Sequence, residues 1–307
     1  MKVKEIPAAF DTESRFKQSE ICFSLDNHLK HLLWQDVQKK EVRGAHWFRQ
    51  AVNWLRVQHG YNNPLNWGVV HCELQALMDS QDELAKELCG HEILFFGVGV
   101  GDTEMAVVDC ALKASNSSDI IGADVNEEFL RMFGTSLSMR LKELPDARIN
   151  YKALRCLFED LHSIKDCVTS SRGPRVLVCL GSTIGNYRNT DEVFRIFNRV
   201  SRSGDQLLLG YQLATHLPIV FEKYAANPYY TDLVGNFLSA NEREEIVWRL
   251  NKNERLVEAW HDGVQLFRSK KFSADEIGIR AERFGWHARM KKCDAYQNFC
   301  LHLLRRK

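Results

Sequence analysis

The 307-residue sequence lacks a charge imbalance. Its formal net charge of +1 gives no electrostatic reason to expect nucleic acid or an anionic membrane as a partner. It has no apolar run long enough to span a bilayer, and its start, MKVKEIPAAFDTESRFK, has no signal-peptide core. Neither a membrane nor a secretory destination is therefore expected. The nine cysteines form no CxxC pair and no regular spacing, which speaks against a disulfide scaffold. They read as reduced, mostly buried thiols of a cytoplasmic protein. No internal repeat and no low-complexity tract is present. His28 and His31 lie three apart beyond Cys22, but no further ligand follows at metal-binding spacing, so no metal is expected. His71 and Cys72 beside Glu73 lack the motif that would make a thiol nucleophile, and they read as helix residues.

What is present is an ordinary globular composition, 45% apolar and 26% charged, on a chain long enough to bury a substantial core. Up to about Gly90 the apolar spacing is helical, in LDNHLKHLLWQDV, AHWFRQAVNWLRV and CELQALMDSQDELAKEL. A Gly/Asn/Pro loop carrying Trp67 separates the second from the third. From His91 short apolar runs (EILFFG, SDIIGADV, RINYKALR, PRVLVCLG, DQLLLGYQL) alternate with helical segments. Such alternation predicts a doubly wound parallel sheet. Past Gln212 it stops, and a helical excursion follows, then a hairpin turning at Asp262-Gly263. A last helix and two alternating runs suited to antiparallel edge strands end the chain.

The first chemical signal is FFGVGVGDTE, which puts Gly97, Gly99 and Gly101 between the first predicted strand and its helix. Glycine lets a ligand approach the backbone and leaves a helix N-terminus open to it, although packing alone also selects glycine in such turns. About two dozen residues on, Asp124 ends a strand, where an acid is placed to bind a ribose hydroxyl pair or to cap the next helix. Together they favour an adenosine-containing cofactor. The GxGxG form and the antiparallel end of the sheet suit S-adenosylmethionine (SAM) better than a nicotinamide. A missing Walker lysine argues against a P-loop phosphotransferase.

The second signal is CLGSTIGNY after the fourth predicted strand, near the switch point where ligands of such sheets bind. Ser182, Thr183 and Asn186, with Gly181 before them, are expected to face the cofactor's reactive end or the substrate. The alternative is a turn that caps its own backbone.

LGSTIGN closely resembles the signature of the histidine-specific SAM-dependent methyltransferases of ergothioneine biosynthesis, whose relatives include fungal N-methyltransferases of prenylated tryptophan. The resemblance runs from about Gly97 onward. It implies a class I, Rossmann-like α/β methyltransferase sheet with a mostly helical substrate-binding domain. Residues 1–90 and an insertion at 214–271 would form that domain, and 91–213 with 272–307 the SAM-binding core. It implies SAM contacts from Gly97, Gly99, Gly101, Asp124 and Phe158, the last matching the aromatic of an adenine motif. It makes Asn186 the residue that holds the substrate's amino and carboxylate end. Tyr224 is implied with it at the catalytic position, and Asn236 and Ser269 as further substrate contacts.

The departures are specific. The family's Gly-Asp-Phe is Cys156-Leu157-Phe158 here, which removes an adenine-reading acid unless Asp160 replaces it. Phe95 stands where an acid commonly precedes the glycines. In VQLFRSKKF, Ser269 and Lys271 match a family stretch whose substrate-contacting glutamate is Phe267 in this chain. A pocket built around Phe does not select imidazole. The aromatics Trp67, Tyr229, Tyr230 and Phe267 suit an apolar or cation–π pocket, or ordinary packing.

The expected activity is thus SAM-dependent N-methylation of an amino acid or related small amine. The alternatives are a degenerate fold that binds SAM or a partner without turnover, and a methyltransferase acting on a macromolecule.

Overall fold

The computed structural model describes residues 16–23, 69–158, 160–161, 173–236 and 238–307. The helical patterns at 25–37 and 45–57, the loop at 60–68 with Trp67, and His28 and His31 lie outside the described residues.

The core is one eight-stranded sheet. Its strands are β1 (Phe16–Phe23), β2 (Glu92–Phe96), β3 (Ser117–Asp124), β4 (Arg148–Arg155), β5 (Arg175–Cys179), β6 (Gln206–Gln212), β10 (Trp286–Cys293) and β11 (Phe299–Arg306). The order is β1-β4-β3-β2-β5-β6-β11-β10, parallel except for the last two strands, which pair antiparallel. Strand order reverses between β2 and β5, so the crevice past their carboxyl ends is the switch point. This is the doubly wound architecture, with its antiparallel edge, that the alternation predicts. β1 is the exception: FKQSEICF falls in a region of helical pattern, yet its backbone pairs parallel with β4.

Helices α1 (Val69–Met78), α2 (Gln81–Leu88), α3 (Asp102–Ser115) and α4 (Glu127–Glu143) cover one face, and α5 (Thr190–Val200) and α9 (Glu276–Arg283) the other. Strand residues alternate between the two cores, with Ile93 and Phe95 in one and Leu94 and Phe96 in the other. A strand buried on both faces reads as an unbroken apolar run, which is why β2 and β5 were legible as EILFF and RVLVC. At their other ends β5 and β6 are locked by a buried ion pair, Arg175 Nη2 to Asp205 Oδ2 at 2.7 Å.

Between β6 and α9 the chain makes an excursion. It holds α6 (Leu217–Ala226), α7 (Pro228–Val234) and α8 (Ala240–Glu244), then an antiparallel sheet of β7 (Val247–Asn251), β8 (Leu256–His261) and β9 (Val264–Lys270). The expected hairpin is present, and Asp262 and Gly263 both take positive φ, as a two-residue I′ turn requires. β7 extends it where the sequence suggested continued helix. The described part of the excursion therefore combines three helices with a three-stranded sheet.

Candidate active site

At the end of β2 the chain turns through Gly97, Gly99 and Gly101, all at positive φ, and Gly101 is the N-cap of α3. Positive φ is the conformation that side chains resist, so the loop needs glycine for its path as well as for access. Asp124, buried at the end of β3, ties this loop down. Val98 N–H donates to its Oδ2 at 3.1 Å and Asn126 N–H to its Oδ1 at 2.8 Å. Burial pushes its carboxyl up to about 6, against the pull of the surrounding backbone amides. The amides of Gly99 and Val125 also act on this carboxylate, so it sits in a nest of backbone N–H groups. The Phe158 ring closes the far wall. Its Cζ lies 3.4 Å from where a Cβ on Gly97 would stand, and its ring meets Phe96 edge-on at 5.5 Å. Gly97, Asp124 and Phe158, matched separately in the sequence, therefore surround one space.

The departures in this region become legible. Phe95 is fully buried and packs edge-on to Phe133 at 5.4 Å beneath the loop, in the core rather than toward a ligand. Leu157 is buried as well, and Asp160 follows it half-buried. Two further carboxyls are buried in α1 and α3. Glu73, on the inner face of α1, accepts from Gly181 N–H with both oxygens at 2.9 and 3.0 Å. It passes over β6 at Gly210, where any side chain would collide with it. Glu104, in the first turn of α3, accepts from Thr103 Oγ1 at 3.1 Å. Burial pushes Glu73 up to about 8, and burial together with neighbouring Glu73 holds Glu104 well above the carboxylate range. His71 is exposed, and the thiol of buried Cys72 is pushed up to about 12, the setting of an inert cysteine.

Past β5, Gly181 and Ser182 both take left-handed backbone, and Thr183–Asn186 form one 3-10 turn. A serine at φ 61° is uncommon and here makes a bridge: Gln212 N–H, at the end of β6, donates to its Oγ at 3.2 Å. Thr183 Oγ1 donates to Leu180 O at 2.8 Å, so this hydroxyl caps its own turn. Asn186 is exposed at the end of the turn.

Gln212 carries the link onward. Tyr224 Oη, from α6, donates to Gln212 Oε1 at 3.1 Å. Lys271 Nζ lies 3.1 Å from Tyr224 Oη and 2.8 Å from Ser269 Oγ, and it also bonds Gln212 Oε1. Above these, Tyr224 lies 4.5 Å from the Tyr230 ring, 5.7 Å from Phe267 and 6.1 Å from Trp248. Burial pushes Tyr224 up to about 12. Tyr224, Phe267 and Ser269 are thus brought together and joined through Gln212 to Ser182. Tyr229 is half-buried, and Asn236 is buried in the turn after α7.

Sequence reasoning missed Glu73, Glu104, Gln212 and Trp248. Glu73 alone left a signal, as an acid on the apolar face it shares with Ala76 and Leu77. The others depend on contacts between distant segments.

Residues 66–243 match the family described as histidine-specific methyltransferase, SAM-dependent. No curated protein matches the chain. Among solved structures, magnesium protoporphyrin IX methyltransferase (ChlM) from Synechocystis PCC 6803, solved with bound SAH, aligns at 12% identity and TM-score 0.48. That alignment covers 83% of this chain and 93% of that one. A putative SAM-dependent methyltransferase from Listeria monocytogenes aligns at 10% identity and TM-score 0.44, over 77% of this chain and 99% of that one.

Proposed function

Since the chain belongs to the family of histidine-specific, SAM-dependent methyltransferases, we propose that it methylates the amino nitrogen of an amino acid or related small amine. SAM is the cofactor, and when bound it supplies an electrophilic methyl carbon on a sulfonium. The residues present fit it: a glycine loop that a Cβ would fill, a buried carboxylate and an aromatic wall. Gly97, Gly99, Gly101 and Gly181 give backbone access, Asp124 accepts the ribose hydroxyls, and Phe158 lies against the adenine. Ser182 and Thr183 shape the turn beside the reactive end.

The observation that carries the substrate side is the hydrogen-bonded path from Ser182 through Gln212 to Tyr224 and Ser269. It joins the turn at the switch point to the ring cluster as one site. Methyl transfer asks the protein chiefly to align a nucleophile and exclude water. Asn186 orients the amine and carboxylate, Tyr224 bonds the same end, and Asn236 and Ser269 complete the polar wall. Phe267, packed between Tyr224 and Trp248, fills the position of the family's acid with a ring. The reading therefore favours a substrate with an apolar or aromatic side chain over imidazole, and ring faces also suit a methylated ammonium. The excursion at 214–271 is the substrate-binding part in this reading, while β1, α1 and α2 of the first 90 residues belong to the core sheet and its cover instead. Among the described residues no helix is long and apolar enough to cross a membrane, and seven cysteines are free thiols. The proposed compartment is the cytoplasm.

Calorimetry with SAM and S-adenosylhomocysteine, followed by a mass-spectrometric screen of amino acids and biogenic amines for added methyl groups, tests the proposal. Binding of neither cofactor would sink it; binding without any amine product would favour a fold without turnover.

Asp124 gives this reading a pH signature. Its carboxyl protonates as the pH falls through about 6, and a protonated acid has fewer acceptor sites for ribose. SAM affinity is expected to decline below that pH. Asp124→Asn should weaken SAM binding about tenfold at neutral pH and remove the dependence. Equal pH profiles for the two proteins would refute the assignment.

A further inference from the structure

Lys271 is a fully buried lysine on the segment that returns the chain from β9 to the core. Its Nζ is enclosed by Gln212 Oε1, Tyr224 Oη and Ser269 Oγ, and lies 4.6 Å from the Tyr224 ring centroid. Of the titratable groups around it, the phenol of Tyr224 touches it and the Tyr230 ring lies tilted against Tyr224; β6 also carries Tyr211, α6 Glu222 and Lys223, and β9 Arg268 and Lys270. Gln212 and Ser269 are uncharged. Among the described residues no carboxylate pairs with it. A buried ammonium without a counter-charge is costly, and burial alone holds this amine well below the ordinary lysine range.

A neutral amine has two N–H groups and one lone pair, so with three close partners it donates to two and accepts from the third. Gln212 Oε1 can only accept. The lone pair therefore falls to Tyr224 or Ser269, the two hydroxyls assigned above to the substrate pocket; with the amine neutral, Gln212 Oε1 accepts from Nζ and the Tyr224 O–H turns from Gln212 to the Nζ lone pair. An amine nucleophile needs such a group, because an α-amino group titrates near 8 and reaches the site largely as an ammonium.

We propose that Lys271 is a positioning residue for the transfer: by way of the Tyr224 hydroxyl it takes up the proton that the substrate's ammonium loses. The role rests on the amine reading above. One substrate N–H bond breaks and its proton joins the Tyr224 oxygen, while the Tyr224 O–H proton moves to Nζ. A free amine, an intact phenol and a Lys271 ammonium result, with no electrons exchanged with any other reactant. The proton leaves Lys271 for solvent after the methylated product departs.

The test uses the full chain, saturated with SAM, and its best acceptor among the twenty L-amino acids and biogenic amines. Lys271→Met fits the ring-lined space but holds no proton, and Lys271→Arg keeps the donors without a lone pair at working pH. Both are expected to lose about a hundredfold in kcat, the usual scale of general acid–base assistance. The acid limb of kcat/KM should move up toward the free substrate's own titration, with SAM affinity within severalfold of wild type. A structural role alone would let Lys271→Arg restore activity and leave the pH profile in place. A second readout needs no turnover: NMR titration of the 13C-lysine-labelled protein should show one lysine, absent in Lys271→Arg, titrating far below the rest. A Lys271 signal in the ordinary range, or an unmoved pH profile in active Lys271→Met, overturns the role. A wild type that binds SAM yet methylates no amine overturns the amine reading itself, and this role with it.

Discussion

Asn186→Ala is expected to lower turnover about a thousandfold, the upper scale for removing one preorganised hydrogen-bonding group at a reacting centre. SAM affinity should stay within severalfold, because the Gly97–Gly101 loop and Asp124 do not depend on this side chain. The substitution separates chemistry from folding unusually well. Asn186 is exposed at the end of its turn, and truncation of an exposed polar side chain typically shifts stability by less than about 0.5 kcal/mol. The melting temperature should therefore not move. Single-turnover rates and SAM calorimetry on the same preparation decide the matter. If SAM binding collapses while chemistry in the loaded fraction survives, Asn186 belongs to the cofactor and the substrate assignment is wrong.

Gly185→Ala, one residue earlier, should act by another route. A Cβ at this position would stand 2.5 Å from the Lys270 carbonyl oxygen and 3.3 Å from its nitrogen. Both are backbone atoms, so no rotamer change relieves the clash. The turn and β9 must move apart, at about 1–3 kcal/mol for the overpacking. Activity should suffer more than stability, because the displaced strand carries Ser269 and precedes Lys271. A loss of tenfold or more in kcat/KM, with KM for the amine rising, is expected on the scale of an ångström-level misplacement. Gly181→Ala is the control. It has positive φ, but its nearest neighbour would be Thr183 Oγ1 at 3.9 Å, so it carries backbone strain of about 1–2 kcal/mol without moving β9. Equal effects from both alanines would show that close packing on Lys270 does not matter.

The sequence disclosed most about the parts whose physics is local. A strand buried on both faces must be apolar throughout, so EILFF and RVLVC announce themselves, as does a two-residue Asp-Gly turn between alternating runs. The glycine loop and Asp124 were legible because both lie at the ends of consecutive strands of one unit. β7 was not. Its residues are only half-buried or exposed, which blurs alternation, and it follows directly on the charged helix ANERE. β1 pairs with a strand more than a hundred residues away, which no local pattern records. The polar wiring of the site was hidden for the same reason. Glu73 meets Gly181 across 108 positions and Gln212 meets Lys271 across 59. Polar residues near strand ends look alike until the fold pairs them. Phe95, a departure when compared with relatives, becomes ordinary once it is seen packing on Phe133.

The excursion leaves the sheet after Gln212 and rejoins it at Phe272, and the two ends meet in a single bridge between Leu213 and Phe272. Phe272 N–H bonds Gln212 O at 3.1 Å and Ala214 N–H bonds Phe272 O at 2.9 Å, so departure and return share one doorway. Segments inserted between adjacent points are tolerated well by the host domain. On the division proposed above, an excursion that keeps the contacts of Lys270 and Gln212 can replace 213–271 while the eight-stranded frame stays as it is. Substrate range can drift in such a lineage without renegotiating the methyl donor.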